Sequence, residues 1–241
     1  MAMSNEIGTN KSVEQVSRRS EITTGIRLSF AAGLGLFPLG IAFGLLVIQA
    51  GLPWRIAPAL SIFGYAGSLE LLLVGMIASA TPLATIAVTT LLVNFRHVFY
   101  AFSFPLKAVK NPVARTYSMY ALTDEAFAVT AAHPHGWTSW RLISLQIALQ
   151  SYWVLGGLAG VGIGSLLPEP IEGLEFALCA LFITLALDAA KTKKEVPSVI
   201  LGAASYSFAI IAAPDQALFL GMLIFVLTLV VRYLWRRNRD N

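Results

Sequence analysis

Eight apolar runs, at about 28–50, 57–79, 82–104, 117–132, 141–167, 174–190, 197–213 and 215–234, take up most of the chain. Several approach the ~20 residues a helix needs to cross a bilayer. They are continuous and rich in Leu, Ala, Ile and Gly, so they predict helices rather than the short alternating strands of a membrane barrel. Charged residues make up 12% of the 241, about half the ~25% of a soluble domain and too few to cover a water-facing surface. The predicted fold is all-α: a polytopic membrane protein of about seven to eight transmembrane or re-entrant helices, some of them broken.

Short turn signals separate the runs, among them GLPW at 51–54, VKNPVAR at 109–115, LPEP at 167–170 and KTKKEVP at 191–197. They leave no room for a soluble domain. The predicted organisation is a cytoplasmic tail over 1–25, one transmembrane transport domain over 26–235 and a basic cytoplasmic tail over 236–241. The net charge of +4 sits between and after the apolar runs, so it reads as topology and not as a nucleic-acid surface. Lys11, Arg18, Arg19 and Arg27, the Lys191–Lys194 cluster, and Arg232, Arg236, Arg237 and Arg239 belong inside. Glu169, Glu172 and Asp215 belong outside. An eight-span arrangement then leaves Lys107, Lys110 and Arg115 on the outer side, against the rule. A re-entrant or broken segment nearby would account for this, with 57–79 and 117–132 as the suspects. Asp188 is expected to pair with the adjacent lysines. The single Cys179 cannot form an intrachain disulfide and is expected to pack as a small apolar side chain. There is no phosphate-binding glycine loop, no clustered His/Cys metal site and no nucleophile elbow. No enzyme activity, cofactor or metal is expected.

Glycines carry two kinds of signal. Gly40 and Gly44, and Gly156, Gly160 and Gly164, stand four apart, the spacing that lets helix backbones approach closely in lipid. GYAGS at 64–68 is different: Gly64 and Gly67, followed by Ser68 and Glu70, suit a helix break. A break frees backbone groups that protein, water or substrate must satisfy, and transporters use such breaks at their binding sites.

Ionisable residues inside apolar runs are costly and face the interior of a bundle or a cavity. Glu70, Arg96, His97, Asp124, Glu125 and Asp188 are the members here. Glu70 is read as a proton-carrying carboxylate or an ammonium ligand, against a structural partner for Arg96. Arg96 and Tyr100 share a face, and Asn94 joins them only if the helix ends or bends near it. Arg96 is either a clamp for a carboxylate, which its planar fork suits, or a side chain snorkelling at a membrane edge. His97 reads as a headgroup residue. Tyr117, Tyr120, Asp124, Phe127 and Ala128 fall on one helical stripe, and Asp124 is the acid expected to face a cavity. Tyr152, in QSYWVLGG at 150–157, lines a path or bonds between helices.

FGYAGSLELLL, NFRHVFYAFS, ALTDEAF and SYWVLGGLAGVGIG, in this order after a glycine-rich first helix, resemble the AzlC family of bacterial branched-chain amino acid permeases. The resemblance covers about 25–235. It implies export of branched-chain amino acids across the bacterial inner membrane and a small AzlD-type membrane partner. One departure stands out: many relatives carry Ala-Gly-x-x-Gln-Phe where this chain has Ala66-Gly67-Ser68-Leu69-Glu70-Leu71.

The expected activity is secondary transport of branched-chain or similar apolar amino acids. A zwitterion needs an anion near its ammonium, for which Glu70 or Asp124 would serve. It needs a donor near its carboxylate, for which Arg96, Asn94 and the free backbone N–H groups around Gly64, Gly67 and Ser68 would serve. Tyr100 and Tyr152 complete the expected substrate set, and Glu70, Asp124 and Glu125 are the candidates for proton coupling. A channel for a small solute and a non-transporting assembly subunit are the alternatives, and a homo-oligomer stays open.

Overall fold

The computed structural model describes residues 2–174, 176, 179, 180, 183, 184, 187, 196–214 and 217–239. Every regular element among them is helical. The chain divides into two compact units, 1–177 and 178–241.

In the first unit, α1 (Ala2–Gln49) and α8 (Ser139–Leu166) are the long helices around which the rest is arranged. Their glycines interlock. A Cβ on Gly40 would stand 2.7 Å from the Trp153 carbonyl oxygen, and one on Gly44 or Gly160 would collide with the backbone of Gly157 or Ile41. With no side chain there, the two backbones touch, and dispersion contact substitutes for the hydrophobic force that lipid does not supply. Gly25 faces Arg141 and Ser144, Gly33 faces Tyr152, and Gly164 faces Ile48. The two helices therefore run parallel. One end of the pair carries Glu21 bonded to Arg141 at 2.8 Å. At the other, Leu46 and Gln49 share a cavity with Pro170–Gly173.

A parallel pair obliges the intervening chain to cross back an odd number of times. Three broken pairs meet that condition, and none of their helices spans a bilayer alone at 1.5 Å per residue. The first pair is α2 (Ile56–Phe63) and α3 (Gly67–Ala78). The second is α4 (Leu83–Asn94) and the single turn α5 (His97–Tyr100). The third is α6 (Pro112–Tyr120) and α7 (Asp124–Ala132). Local chemistry sets these ends. Asn111 accepts from the N–H groups of Val113 and Ala114 ahead of Pro112, Thr123 caps α7, and Thr138 caps α8. Tyr117 lies against Gln150, while Ser118 and Ala121 lie against Gln146, so α6 runs antiparallel to α8. The stretch holding Lys107 and Lys110 precedes α6 and lies toward the C-terminal end of α8. The charge conflict at that stretch is not removed by the breaks.

The break in 57–79 falls where the glycines place it. The run 82–104 is also interrupted, at Phe95–Arg96, and its helix stops at Tyr100. The expected single stripe over 117–132 is corrected: the helix stops at Tyr120 and restarts at Asp124. Thr123 withdraws from the helix to cap the next one, so Tyr117 and Tyr120 do not continue the face of Asp124.

In the second unit, α9 (Val196–Ala212) and α10 (Ala217–Arg239) form an antiparallel hairpin. Gly202 meets the Phe225 ring, Gly221 meets Tyr206, and Arg232 donates to Ser198 at 3.1 Å. Asp188, Lys191–Lys194 and Asp215 lie outside the described residues. Cys179 is exposed, which corrects its expected role in packing.

Candidate functional site

Each helix break leaves backbone groups without helical partners, and at the first and third a buried polar side chain reaches them. At the first break, the N–H groups of Gly64 and Tyr65 both donate to the Leu60 carbonyl at 2.7 and 3.0 Å. Tyr65 then takes a φ of +36°, in the left-handed region that a residue with a Cβ rarely adopts. Glu70 reaches back to the chain. Its carboxylate accepts from the Ala66 N–H at 2.9 Å, the Ser61 hydroxyl at 2.7 Å and the Trp153 indole N–H at 2.9 Å. Glu70 is 0% exposed, and three donors surround it.

At the third break, Gln146 on α8 is also 0% exposed. Its amide donates to the Ser118 and Ala121 carbonyls, both at 2.9 Å. Gln150, one turn further on, accepts from Tyr117 at 2.9 Å and donates to Tyr120 at 3.2 Å. Tyr120 donates to the Ile62 carbonyl beside the first break. Gln146, Gln150 and Trp153 thus lie at helical spacing on one face of α8 and hold two breaks near its middle.

The second break has neither Gly nor Pro. Its turns tighten to 3₁₀ pairing, with Phe95, Val98 and Phe99 each donating three residues back. The change of winding turns Arg96 toward α7. Arg96 Nε donates to Asp124 Oδ1 at 2.9 Å and Nη2 to Oδ2 at 2.6 Å, a two-pronged ion pair, and Nη2 also donates to Ser68 Oγ at 2.9 Å. Tyr100 donates to Asp124 Oδ1 at 2.8 Å, its ring stacked on Phe127 at 4.2 Å. The pair is partly open, with side-chain exposures of 31% for Arg96 and 23% for Asp124. Asp124 and Glu125 occupy the first turn of α7, where a helix favours negative charge.

All three breaks converge on one cavity of about 440 Å³. Gly64, Tyr65 and Ala66 come from the first, Asn94 and His97 from the second, and Tyr120 and Leu122 from the third. Val98, Ala101, Phe104, Leu106 and Met119 make the rest of its wall apolar. Ser68, Arg96 and Asp124 each stand within two residues of a lining residue. Asn94 Oδ1 is buried without a hydrogen-bond partner. The volume falls in the range of small-molecule sites, ~300–1,000 Å³, and the mix of apolar wall and few polar groups is typical of them.

Gly64 and Asn94 line this cavity, while Ser68, Arg96, Tyr100 and Asp124 bond to one another next to lining residues in the chain and are not themselves among them. His97, expected among headgroups, is on the cavity wall with Nδ1 2.9 Å from the Asn94 carbonyl oxygen. Gly67 is against the Trp153 ring. Glu70 faces Ser61 and Trp153, and its carboxylate is not part of the cavity wall. Tyr152 stands apart, its ring against Gly33. Gln146 and Ser61 escape a reading of the sequence. The 146/150/153 spacing of polar groups is the signal that points to Gln146.

The sequence matches the family profile described as AzlC protein over residues 31–167, which ends with α8 inside the first unit. An uncharacterized membrane protein of Helicobacter pylori is 33% identical over 64% of this chain and 69% of its own length. The branched-chain amino acid transport protein AzlC of Bacillus subtilis is 28% identical over 78% of this chain and 76% of its own. The inner membrane protein YgaZ of Escherichia coli is 26% identical over 90% and 92%. No solved structure matches.

Proposed function

The chain belongs to the AzlC family, and from that premise we propose that it is a secondary transporter that exports branched-chain or similar apolar amino acids across the bacterial inner membrane. The observation that carries this reading is the placement of the Arg96–Asp124 pair beside an apolar cavity at the meeting of three helix breaks. A guanidinium and a carboxylate are the two groups that an amino acid's carboxylate and ammonium require. The apolar wall takes the side chain. One methylene is worth only ~1–3 kcal/mol in such a pocket, so the substrates form a group. The similarity to the branched-chain amino acid transport protein of Bacillus subtilis supports this class.

Arg96 receives the substrate carboxylate, Asp124 the ammonium, and Asn94 and the Gly64–Ala66 backbone the remaining hydrogen bonds. Glu70 holds the break that shapes the site, and Glu125 is the carboxylate left to carry a proton. Both termini lie in the cytoplasm, in keeping with the Lys and Arg residues concentrated in the two tails. A small AzlD-type membrane protein completes the exporter.

The test is efflux of preloaded isotopic valine from cells that make the chain alone or with the small membrane protein encoded beside it. Saturable efflux that is lost on Arg96→Ala, with the variant still in the membrane, is the expected result. No efflux in either setting, with the protein folded, overturns the branched-chain assignment.

A further inference from the structure

We propose that the Arg96–Asp124 pair is a lock that only a zwitterion opens, each partner giving up the other for one end of the substrate. The inference rests on the transport reading above and deepens it. In this structure the groups that would bind the substrate are occupied by each other. Arg96 uses Nε and Nη2 on the two oxygens of Asp124. Tyr100 adds a further donor to Oδ1 and Ser68 a further acceptor to Nη2. The pair is only partly open, at 31% and 23% side-chain exposure, so each charge relies on its partner for much of the compensation that water does not give.

A monocarboxylate that captured Arg96 would strand Asp124, and an amine that captured Asp124 would strand Arg96. Neither exchange is favourable. A zwitterion replaces a carboxylate with a carboxylate and a cation with a cation, so both protein charges stay paired. The cavity adds what the exchange needs. Asn94 lines the wall and its Oδ1 is buried without a hydrogen-bond partner; a turn of the side chain toward the cavity gives the ammonium an acceptor that the guanidinium does not use. Serine and tyrosine remain in place to steady whichever partner is present. Selection for the amino acid headgroup therefore comes from the competing internal pair, and the apolar wall selects only the side chain.

The experiment uses the purified full-length protein in detergent and three ligands of one shape: valine, isovalerate, which lacks the ammonium, and isobutylamine, which lacks the carboxylate. Binding is measured by calorimetry for the unaltered protein, Asp124→Asn and Arg96→Gln. The expected result is a reciprocal gain. Asp124→Asn binds isovalerate about tenfold or more tightly than the unaltered protein does, and Arg96→Gln does the same for isobutylamine, while both lose valine. A pair that merely glues helices gives losses only, and folded variants without either gain overturn the proposal. A second measurement needs no variant. In the unaltered protein, isobutylamine must strengthen isovalerate binding and the reverse by the same factor, since each breaks the bond that resists the other. Independent binding, or none, overturns the lock. Valine efflux in cells without the reciprocal gain removes the lock and leaves the transport reading. The gain without valine efflux keeps the lock and removes the branched-chain substrate.

Discussion

Trp153 and Glu70 are joined through the middle of the first unit, the indole N–H of α8 donating to the carboxylate of α3 at 2.9 Å. The bond fastens the first helix break to the α1–α8 interface. Both side chains are almost wholly enclosed, so neither has water as a substitute.

Replacing Glu70 with Leu leaves three donors without an acceptor: Ser61 Oγ, Ala66 N and Trp153 Nε1. Each orphaned group costs roughly 1–3 kcal/mol. The expected loss is about 3–5 kcal/mol, read as a large fall in the melting temperature of the purified protein. Glu70→Gln keeps one acceptor oxygen and loses less.

Tyr65 reverses the usual order of small substitutions. With φ at +36°, any residue bearing a Cβ is strained, and glycine is not. Tyr65→Gly should be more stable than Tyr65→Ala by about 1 kcal/mol. Equal melting temperatures for the two variants would show that the left-handed turn is not held in solution.

The glycines of α1 and α8 separate into two classes. Gly44→Ala and Gly160→Ala drive a methyl into the facing backbone and should cost about 1–3 kcal/mol each. Gly35→Ala and Gly162→Ala point into open space and should gain up to ~1 kcal/mol from helix propensity. Melting of the four single variants side by side checks the sign of each.

Tyr100→Phe removes one donor to Asp124 and retains the stack on Phe127. The stability cost is about 1 kcal/mol; a bond of that size lost from the substrate-carrying state lowers valine efflux by roughly fivefold. Arg96→Ala leaves Asp124 with the Tyr100 donor alone and removes the group proposed to hold the substrate carboxylate, so efflux should fall by roughly tenfold or more, further than in Tyr100→Phe. An efflux assay at matched membrane levels compares the two.

Some of this architecture is written locally and some is not. The Gly40/Gly44 and Gly156/Gly160 stripes, and the break at Gly64, are legible because glycine acts where it stands, through its missing Cβ. The break at Phe95–Arg96 has no such residue. It is inferred only from the need to bring Asn94, Arg96 and Tyr100 to one cavity. The break at Ala121–Thr123 hides within an apolar run, although Thr123 followed by Asp124 and Glu125 is a helix-start signature. Pairings are the least legible. Arg96 has two carboxylate candidates in the sequence, Glu70 and Asp124. The winding of α4–α5 decides for Asp124 while Glu70 turns to α8. Gln146 shares only a helical spacing with Gln150 and Trp153, and its role exists only once α6 ends against it.

The parallel arrangement of α1 and α8 also sets a timetable. The ribosome completes α1 roughly ninety residues before it begins α8, an interval on the order of ten seconds at ordinary rates of synthesis. During that time the broken segments enter the bilayer without Gln146, Gln150 and Trp153, whose side chains later satisfy them. The nascent chain therefore carries exposed carbonyls, a bare glycine stripe and unshielded acids until its fifth crossing emerges, and the insertion machinery must shelter them until then.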